Sequence, residues 1–338
     1  MDFEPDAEER LLADTARRFA EDGGDRAGFC ALGLAGAALA EDAGGYGLGL
    51  RGAVLVQEAL GRAARPLAYG SVTVPGLALL ASAGDAAPAG LVARAIEGEA
   101  RLALDLGGEG ALRLSAHPEA GGWRLEGCCP LVEEAPEATD LIAAAHMPDG
   151  TTGLFLLQSD AAEITPLPAA DGRPLGRIAF AGQASGTPLH LPASALANAA
   201  AARLCGHAAD TVGAMETLLA FTAEHLRTRH QFRQPLGSFQ VLRHRFAEMG
   251  ILHREARVLT FAAAMALDEG VPEGPRLASM AWVQAARAAR VIAEETVQMH
   301  GALGMTAEAA TSPFVLRLMV TRALAGCPEA HLDRLACT

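Results

Sequence analysis

Three long apolar-periodic stretches follow one another over residues 194–230, 237–268 and 274–300, and only proline and glycine interrupt them. Pro235 and Gly237 part the first from the second. Gly270, Pro272, Gly274 and Pro275 part the second from the third. Helices of such length joined by short turns must fold back on one another, which predicts an antiparallel bundle. Two shorter helices are predicted at 311–325 and 328–336.

The chain ahead of this bundle changes period twice. Over residues 99–190 the apolar residues alternate with a period of two, broken by Gly, Pro and Asp. Strands are predicted at Arg101–Leu106, Leu112–Ser115, Trp123–Glu126, Leu141–Ala145, Gly153–Leu157 and Arg177–Phe180. No helix-length segment separates them, so the pattern predicts a small antiparallel domain and not βαβ units. Residues 1–98 are helical again. Leu11, Leu12, Ala16 and Phe19 share one helix face, and Val54, Leu55, Ala59 and Leu60 share another. The expected architecture is α+β and multidomain: an N-terminal helical domain (1–98), a central antiparallel β-barrel or sandwich (99–190) and a C-terminal four-helix bundle (191–338).

Composition narrows the function. Of 338 residues, 51% are hydrophobic, enough for a substantial core, and the net charge is −13. An acidic surface argues against a nucleic-acid partner, which needs a basic face. No apolar run is long enough to span a bilayer, and the acidic start MDFEPDAEER is unlike a secretory signal, so a cytoplasmic protein without a membrane partner is expected. Cys30, Cys128, Cys129, Cys205, Cys327 and Cys337 form no C-x-x-C pair, and the ten histidines form no ligand cluster, so no metal is expected. Every one of the 27 Lys-or-Arg residues is arginine. Without lysine no Schiff base can form, which excludes pyridoxal-phosphate and class I aldolase chemistry. The glycine-rich run Asp42–Gly49 follows no strand and is expected to be a helix–helix turn and not a phosphate loop.

The most specific stretch is Arg229-His230-Gln231-Phe232-Arg233-Gln234-Pro235-Leu236-Gly237-Ser238-Phe239-Gln240. It places a guanidinium, two side-chain amides (Gln231 and Gln240) and an aromatic ring around one turn, with a helix N-terminus just beyond. A planar cationic fork and a helix start both favour phosphate, and the ring can stack on a base. These residues suit a dinucleotide; they equally suit a tight helix–helix turn with a solvated arginine.

This stretch resembles the "R-x-Q-F-G-x-P-L-x-x-F-Q" turn of the acyl-CoA dehydrogenase family, with Arg233 in place of the usual Gly. A second stretch, Gln298-Met299-His300-Gly301-Ala302-Leu303-Gly304-Met305-Thr306-Ala307-Glu308, is similar to that family's "Q-x-H-G-G-x-G-x-T-x-E", with Ala302 in place of one glycine. Glu58-Ala59-Leu60-Gly61-Arg62 is similar to its "EELGR" helix, so the likeness spans the chain. The resemblance implies FAD as cofactor, an acyl-CoA substrate, electron-transfer flavoprotein as acceptor, and assembly as a homodimer, a homotetramer or an α2β2 heterotetramer. It also implies that Arg229, Gln231, Phe232, Leu236 and Gln240 contact FAD of a neighbouring subunit. Gln298, Gly301 and Gly304 would lie along its adenosine and pyrophosphate end.

The chain departs from the family where the chemistry happens. α,β-Dehydrogenation needs a carboxylate to take the α-proton while the β-hydride goes to flavin N5. One family position for that Glu, in "Y-E-G-T", corresponds to Arg322–Cys327, which holds no acid. The other corresponds to Arg203 or Leu204. Asp210, two turns on, is the nearest acid; it is either a base or a helix-packing acid. The "T-E-x-x-x-G-S-D" and "W-I-T-S" segments that contact flavin and substrate correspond to Asp105–Gly110 and Pro130–Ala135, which lack the hydroxyl donors. The shape resembles the short subunits of bacterial steroid side-chain degradation, which pair as α2β2. Two functions follow: an FAD-dependent acyl-CoA dehydrogenase, alone or in a heteromer, or a non-catalytic subunit that completes the FAD site of a catalytic partner.

Overall fold

The computed structural model of the chain describes residues 4–107, 113–119, 122–192 and 194–336. Gly108, Glu109, Gly110 and Leu112, which fall in two of the segments singled out above, and Cys337 lie outside the described residues.

Five helices come first: α1 (Ala7–Glu21), α2 (Arg26–Ala31), α3 (Gly49–Arg62), α4 (Val74–Ala83) and α5 (Leu91–Ile96). Helix α1 starts at a capping box. Glu9 N–H donates to Asp6 Oδ1 at 2.8 Å and Asp6 N–H donates to Glu9 Oε2 at 2.9 Å, which satisfies two otherwise orphaned donors. The run at 42–49 is a turn leading into α3. The amides of Leu50 and Arg51 at that helix start already donate to the Asp268 carboxylate, at 2.8 and 3.0 Å, so no phosphate is needed there.

Seven strands follow: β1 (Leu102–Asp105), β2 (Leu114–Glu119), β3 (Gly122–Glu133), β4 (Asp140–His146), β5 (Thr152–Gln158), β6 (Glu163–Leu167) and β7 (Leu175–Leu189). Strands β4, β2, β3, β7 and β5 pair in that order, and β5 pairs back with β4, so the five close into a ring. β1, largely buried, pairs with β4 ahead of the single β2–β4 pair, and β6 pairs with β7 ahead of β5. Five of the seven pairings are antiparallel. The pairings β1–β4 and β2–β4 are parallel, because the chain leaves β1, makes the β2–β3 hairpin and re-enters beside β1 in the same direction. Phe155, Leu125, Leu114 and Ala145 fill the ring, each with no exposed surface.

The C-terminal part holds α6 (Ala195–Thr228), the two-stranded hairpin β8 (His230–Gln231) and β9 (Gln234–Pro235), α7 (Gln240–Asp268), α8 (Gly274–His300), α9 (Ser312–Ala325) and α10 (Pro328–Ala336). Helix α6 is the axis of the molecule. It packs against α7, α8 and α9 on one side and against α3 and α4 on the other. Glycines make the second contact possible. A Cβ on Gly213 would lie 2.0 Å from the Glu58 carbonyl oxygen of α3, and one on Gly206 would lie 2.2 Å from the Gly70 carbonyl carbon. Any larger residue would push the two helical regions apart. Among the described residues no helix is long and apolar enough to cross a membrane.

Candidate functional site

The Arg229–Gln240 motif forms a two-residue β-hairpin. His230 pairs with Pro235 and Gln231 with Gln234, which leaves Phe232 and Arg233 as the turn, with φ of 53° and 65°. Two consecutive positive φ values are the signature of a type I′ turn, normally filled by Asn-Gly. A phenylalanine and an arginine hold it here at a steric cost. The turn points Phe232 away from the body of the chain: its ring is 84% exposed and touches Phe239 edge-on, with centroids 6.1 Å apart. Arg229, Gln231 and Gln240 are exposed beside it, while Leu236 is half-buried against the bundle core.

The Gln298–Gly304 motif ends α8 and lies beside this hairpin. His225, one turn before Arg229, stacks on His300 with centroids 4.3 Å apart. His300 Nδ1 lies 2.8 Å from the Thr296 carbonyl oxygen, and Thr222 Oγ1 lies 3.2 Å from Thr296 Oγ1. The ends of α6 and α8 are thus fastened together, and the fold brings both motifs to one end of the bundle. Gln298 and Gly301 are exposed, and Gly301, at φ 66°, has nothing within 4 Å of an added Cβ. Gly304 is buried, where a Cβ would meet the Val297 carbonyl oxygen at 2.8 Å. Its role in the chain is close packing of the turn on α8.

Asp210 lies elsewhere, at the junction of all three parts. It is 2% exposed. Arg317 of α9 reaches it with Nη2 at 2.6 Å and Nε at 3.1 Å, Gln57 of α3 donates at 2.8 Å, and Thr321 donates at 3.2 Å. Arg173 adds Nη2 at 3.4 Å, donates Nη1 to Glu133 at 3.3 Å and Nε to Asp171 at 2.6 Å, and also bonds to Thr321. His207 Nε2 lies 3.5 Å from Glu133 Oε2. Burial pushes the Asp210 carboxyl up, but Arg317 and Arg173 outweigh it and hold it below the usual carboxylate range. Glu133 is likewise held low: His207, Arg173 and Arg203 outweigh its burial. Burial drives His207 down to about 4, so its ring is neutral at physiological pH.

This network is the part of the site that sequence reasoning missed. One signal was present. Arg317 stands alone in the apolar run Phe314–Val320, and a lone charge on the face of a buried helix has to find a partner. The stretches compared above with the family's base positions hold no acid of their own; Glu329 lies beside Cys327 and Arg322, and Glu133 lies within the field of Arg203. Arg203 is half-buried with its Nε unpaired among the described residues, and the Gly326 carbonyl accepts from the Trp282 indole at 3.0 Å.

The hairpin end presents an exposed guanidinium, amides and a ring, and the interior holds a closed ion network. Comparison with known proteins names the family. Residues 193–337 match the acyl-CoA dehydrogenase C-terminal domain. The chain is 29% identical to acyl-CoA dehydrogenase IpdE2 of Mycobacterium tuberculosis over 90% of its own length and 82% of that protein's. Its fold superposes on a chain of the ChsE4–ChsE5 complex from Mycobacterium tuberculosis with a TM-score of 0.91, at 24% identity, covering 99% of this chain and 98% of that one. It superposes on the Tcur3481–Tcur3483 steroid ACAD G363A variant with a TM-score of 0.88, at 26% identity, covering 97% and 96%. Residues 193–337 thus belong with the acyl-CoA dehydrogenase C-terminal domain, and the chain as a whole is similar in sequence and in its helix–sheet–helix fold to acyl-CoA dehydrogenases.

Proposed function

We propose that this chain is the non-catalytic subunit of a heteromeric, FAD-dependent acyl-CoA dehydrogenase, and that it completes an FAD site carried mainly by a partner subunit. The carrying observation is the buried charge network. Glu133 stands in the segment that corresponds to "W-I-T-S", and Arg203 or Leu204 stands where some members carry the base. Glu133 is 1% exposed and is bonded to Arg173, beside His207 and within the field of Arg203. A flavin ring needs a flat open face with neutral hydrogen-bond donors. These residues offer closed, charged packing, and they do not fit it.

The other end of the cofactor fits. Arg229 is an exposed planar fork suited to a diphosphate, Phe232 is an exposed ring suited to stacking, and Gln231, Gln240 and Gln298 are exposed amides suited to a nucleoside. Bound FAD supplies the hydride acceptor. Arg229 and its exposed neighbours would hold its anionic end at the boundary with the partner. Asp210 acts as a structural acid in this reading, since both its oxygens are already engaged by Arg317 and Arg173. Likeness to the ChsE4–ChsE5 complex supports a heteromer, and likeness to a steroid ACAD supports a thioester with a steroid-sized acyl group; electron-transfer flavoprotein is the acceptor that the family implies.

The test is flavin content. The chain purified alone should be colourless after FAD is added and removed by gel filtration. Co-expression with an adjacent gene product of the same family should give a yellow complex with fewer flavins than chains. One flavin per chain in the lone protein, with turnover of an acyl-CoA, would make it a complete dehydrogenase instead.

A further inference from the structure

A second cleft lies between α8 and α9, on the face of α9 opposite Arg317 and Thr321. Its volume is about 510 Å³, within the range of small-molecule sites, which is roughly 300 to 1,000 Å³. It exists because α8 presents Ala286, Ala289 and Ala293 along one face where larger residues would close the gap against α9. Trp282 and Leu318 form an apolar floor, both nearly inaccessible to water.

Two observations point to a ligand. First, Thr211 lines the cleft beside this floor; the residue is 1% exposed, and its buried Oγ1 has no hydrogen-bond partner among the described residues. Other buried helical threonines are satisfied: Thr222 donates to the Leu218 carbonyl at 2.7 Å and Thr260 to the Ala256 carbonyl at 2.8 Å. A buried hydroxyl left unpaired costs about 1–3 kcal/mol, so its place at the end of an apolar cleft calls for a polar atom from outside. Second, the rim carries Arg290 and Arg322. Their acid neighbours, Glu294 at 3.9 Å and Glu329 at 3.8 Å, are beyond hydrogen-bond reach. Both guanidiniums can therefore turn toward an anion at the mouth. Glu294 also stands on the rim and repels that anion, so Arg322, on the other wall, is the stronger anchor.

We propose that this cleft binds an amphipathic carboxylate: an apolar body along the alanines of α8, the carboxylate at Arg322, and a hydroxyl or carbonyl at the far end on Thr211. The site shares no residue with the charge network or the hairpin turn, and it meets the proposed nucleotide site only at Gln298, which lines its edge.

The chain reports on this site itself. It has two tryptophans, Trp123 and Trp282, so the Trp123→Phe protein carries its emission on the cleft floor. In that background ω-hydroxydecanoate, decanoate and decanol are titrated. The emission should saturate with both acids, ω-hydroxydecanoate binding more tightly than decanoate and decanol most weakly. Arg322→Gln should weaken both acids about tenfold, as expected for a lost charged hydrogen bond, and leave decanol unchanged. Thr211→Val should erase the preference for the ω-hydroxy acid. Ala293→Phe, which fills the cleft from its accessible side, should abolish binding. No saturable change with any probe, decanol binding as well as decanoate, or undiminished binding in the Ala293→Phe protein would each overturn the proposal.

Discussion

Arg317 and Asp210 join α9 to α6 through a two-point contact, Nη2 at 2.6 Å and Nε at 3.1 Å, with both side chains almost wholly out of water. Arg317 Nη2 also donates to the Arg65 carbonyl at 2.7 Å, so the same guanidinium ties in the segment after α3. Removing one partner strands a buried charge, which costs about 3–5 kcal/mol. Arg317→Leu and Asp210→Leu should each lower the midpoint of urea unfolding by that order. The double replacement should recover part of the loss, since a buried ion pair exchanged for apolar side chains is often close to neutral. Additive losses in the double variant would count against a direct pair.

His207 and the acids around it set a pH dependence. The folded value of His207, about 4, lies below its ordinary 6.5, so the unfolded chain takes up the proton first. That stability is full above pH 6.5 and falls as pH drops toward 4, by on the order of 3 kcal/mol. Asp210 and Glu133 are held below their ordinary values, so their contribution persists above the unfolded carboxylate range and fades only at still lower pH. A His207→Asn protein should show a flatter stability profile between pH 4 and 6.5, measured by denaturant unfolding in a buffer series.

Arg233 holds a left-handed backbone, at φ 65°. A left-handed conformation costs a non-glycine residue about 1–2 kcal/mol, while glycine adds back about 0.5–1 kcal/mol of unfolded-chain freedom. Arg233→Gly should therefore stabilise the chain by roughly 0.5 kcal/mol in chemical denaturation. A clear loss would mean that the Arg233 side chain makes a contact worth more than the strain.

Arg229→Ala tests the hairpin without touching the core. In the co-expressed complex it should weaken FAD retention about tenfold or more, the effect of one lost charge-assisted hydrogen bond, with an unchanged unfolding midpoint. Unchanged flavin content would remove Arg229 from the site.

Much of the fold is legible because proline and glycine mark where long helices must stop: the predicted segments 194–230, 237–268 and 274–300 match α6, α7 and α8 to within three residues at each end. The sheet is less legible for a related reason. Gly127 and Pro130 read as strand ends, yet β3 runs through both, since its register shifts near Leu125 and Cys129 absorb them as bulges. β6 is hidden by Pro166, which an outer strand tolerates because one side of it needs no ladder partner. The hairpin residues were found by motif, but their joint exposure was not. The charge network joins residues from Gln57 to Thr321, and no local pattern in a sequence encodes contacts between groups so far apart along the chain.

The ring of strands has a consequence for how this protein meets its neighbours. Among the described residues the strands pair back on themselves, and the largely exposed β6, five residues long, pairs with β7 alone. Lengthening the sheet with a neighbour's strand is therefore a poor route to assembly. In the proposed heteromer, recognition between subunits would fall to helix flanks and to the small hairpin that leans outward, which would concentrate partner choice in a few side chains open to rapid evolutionary change.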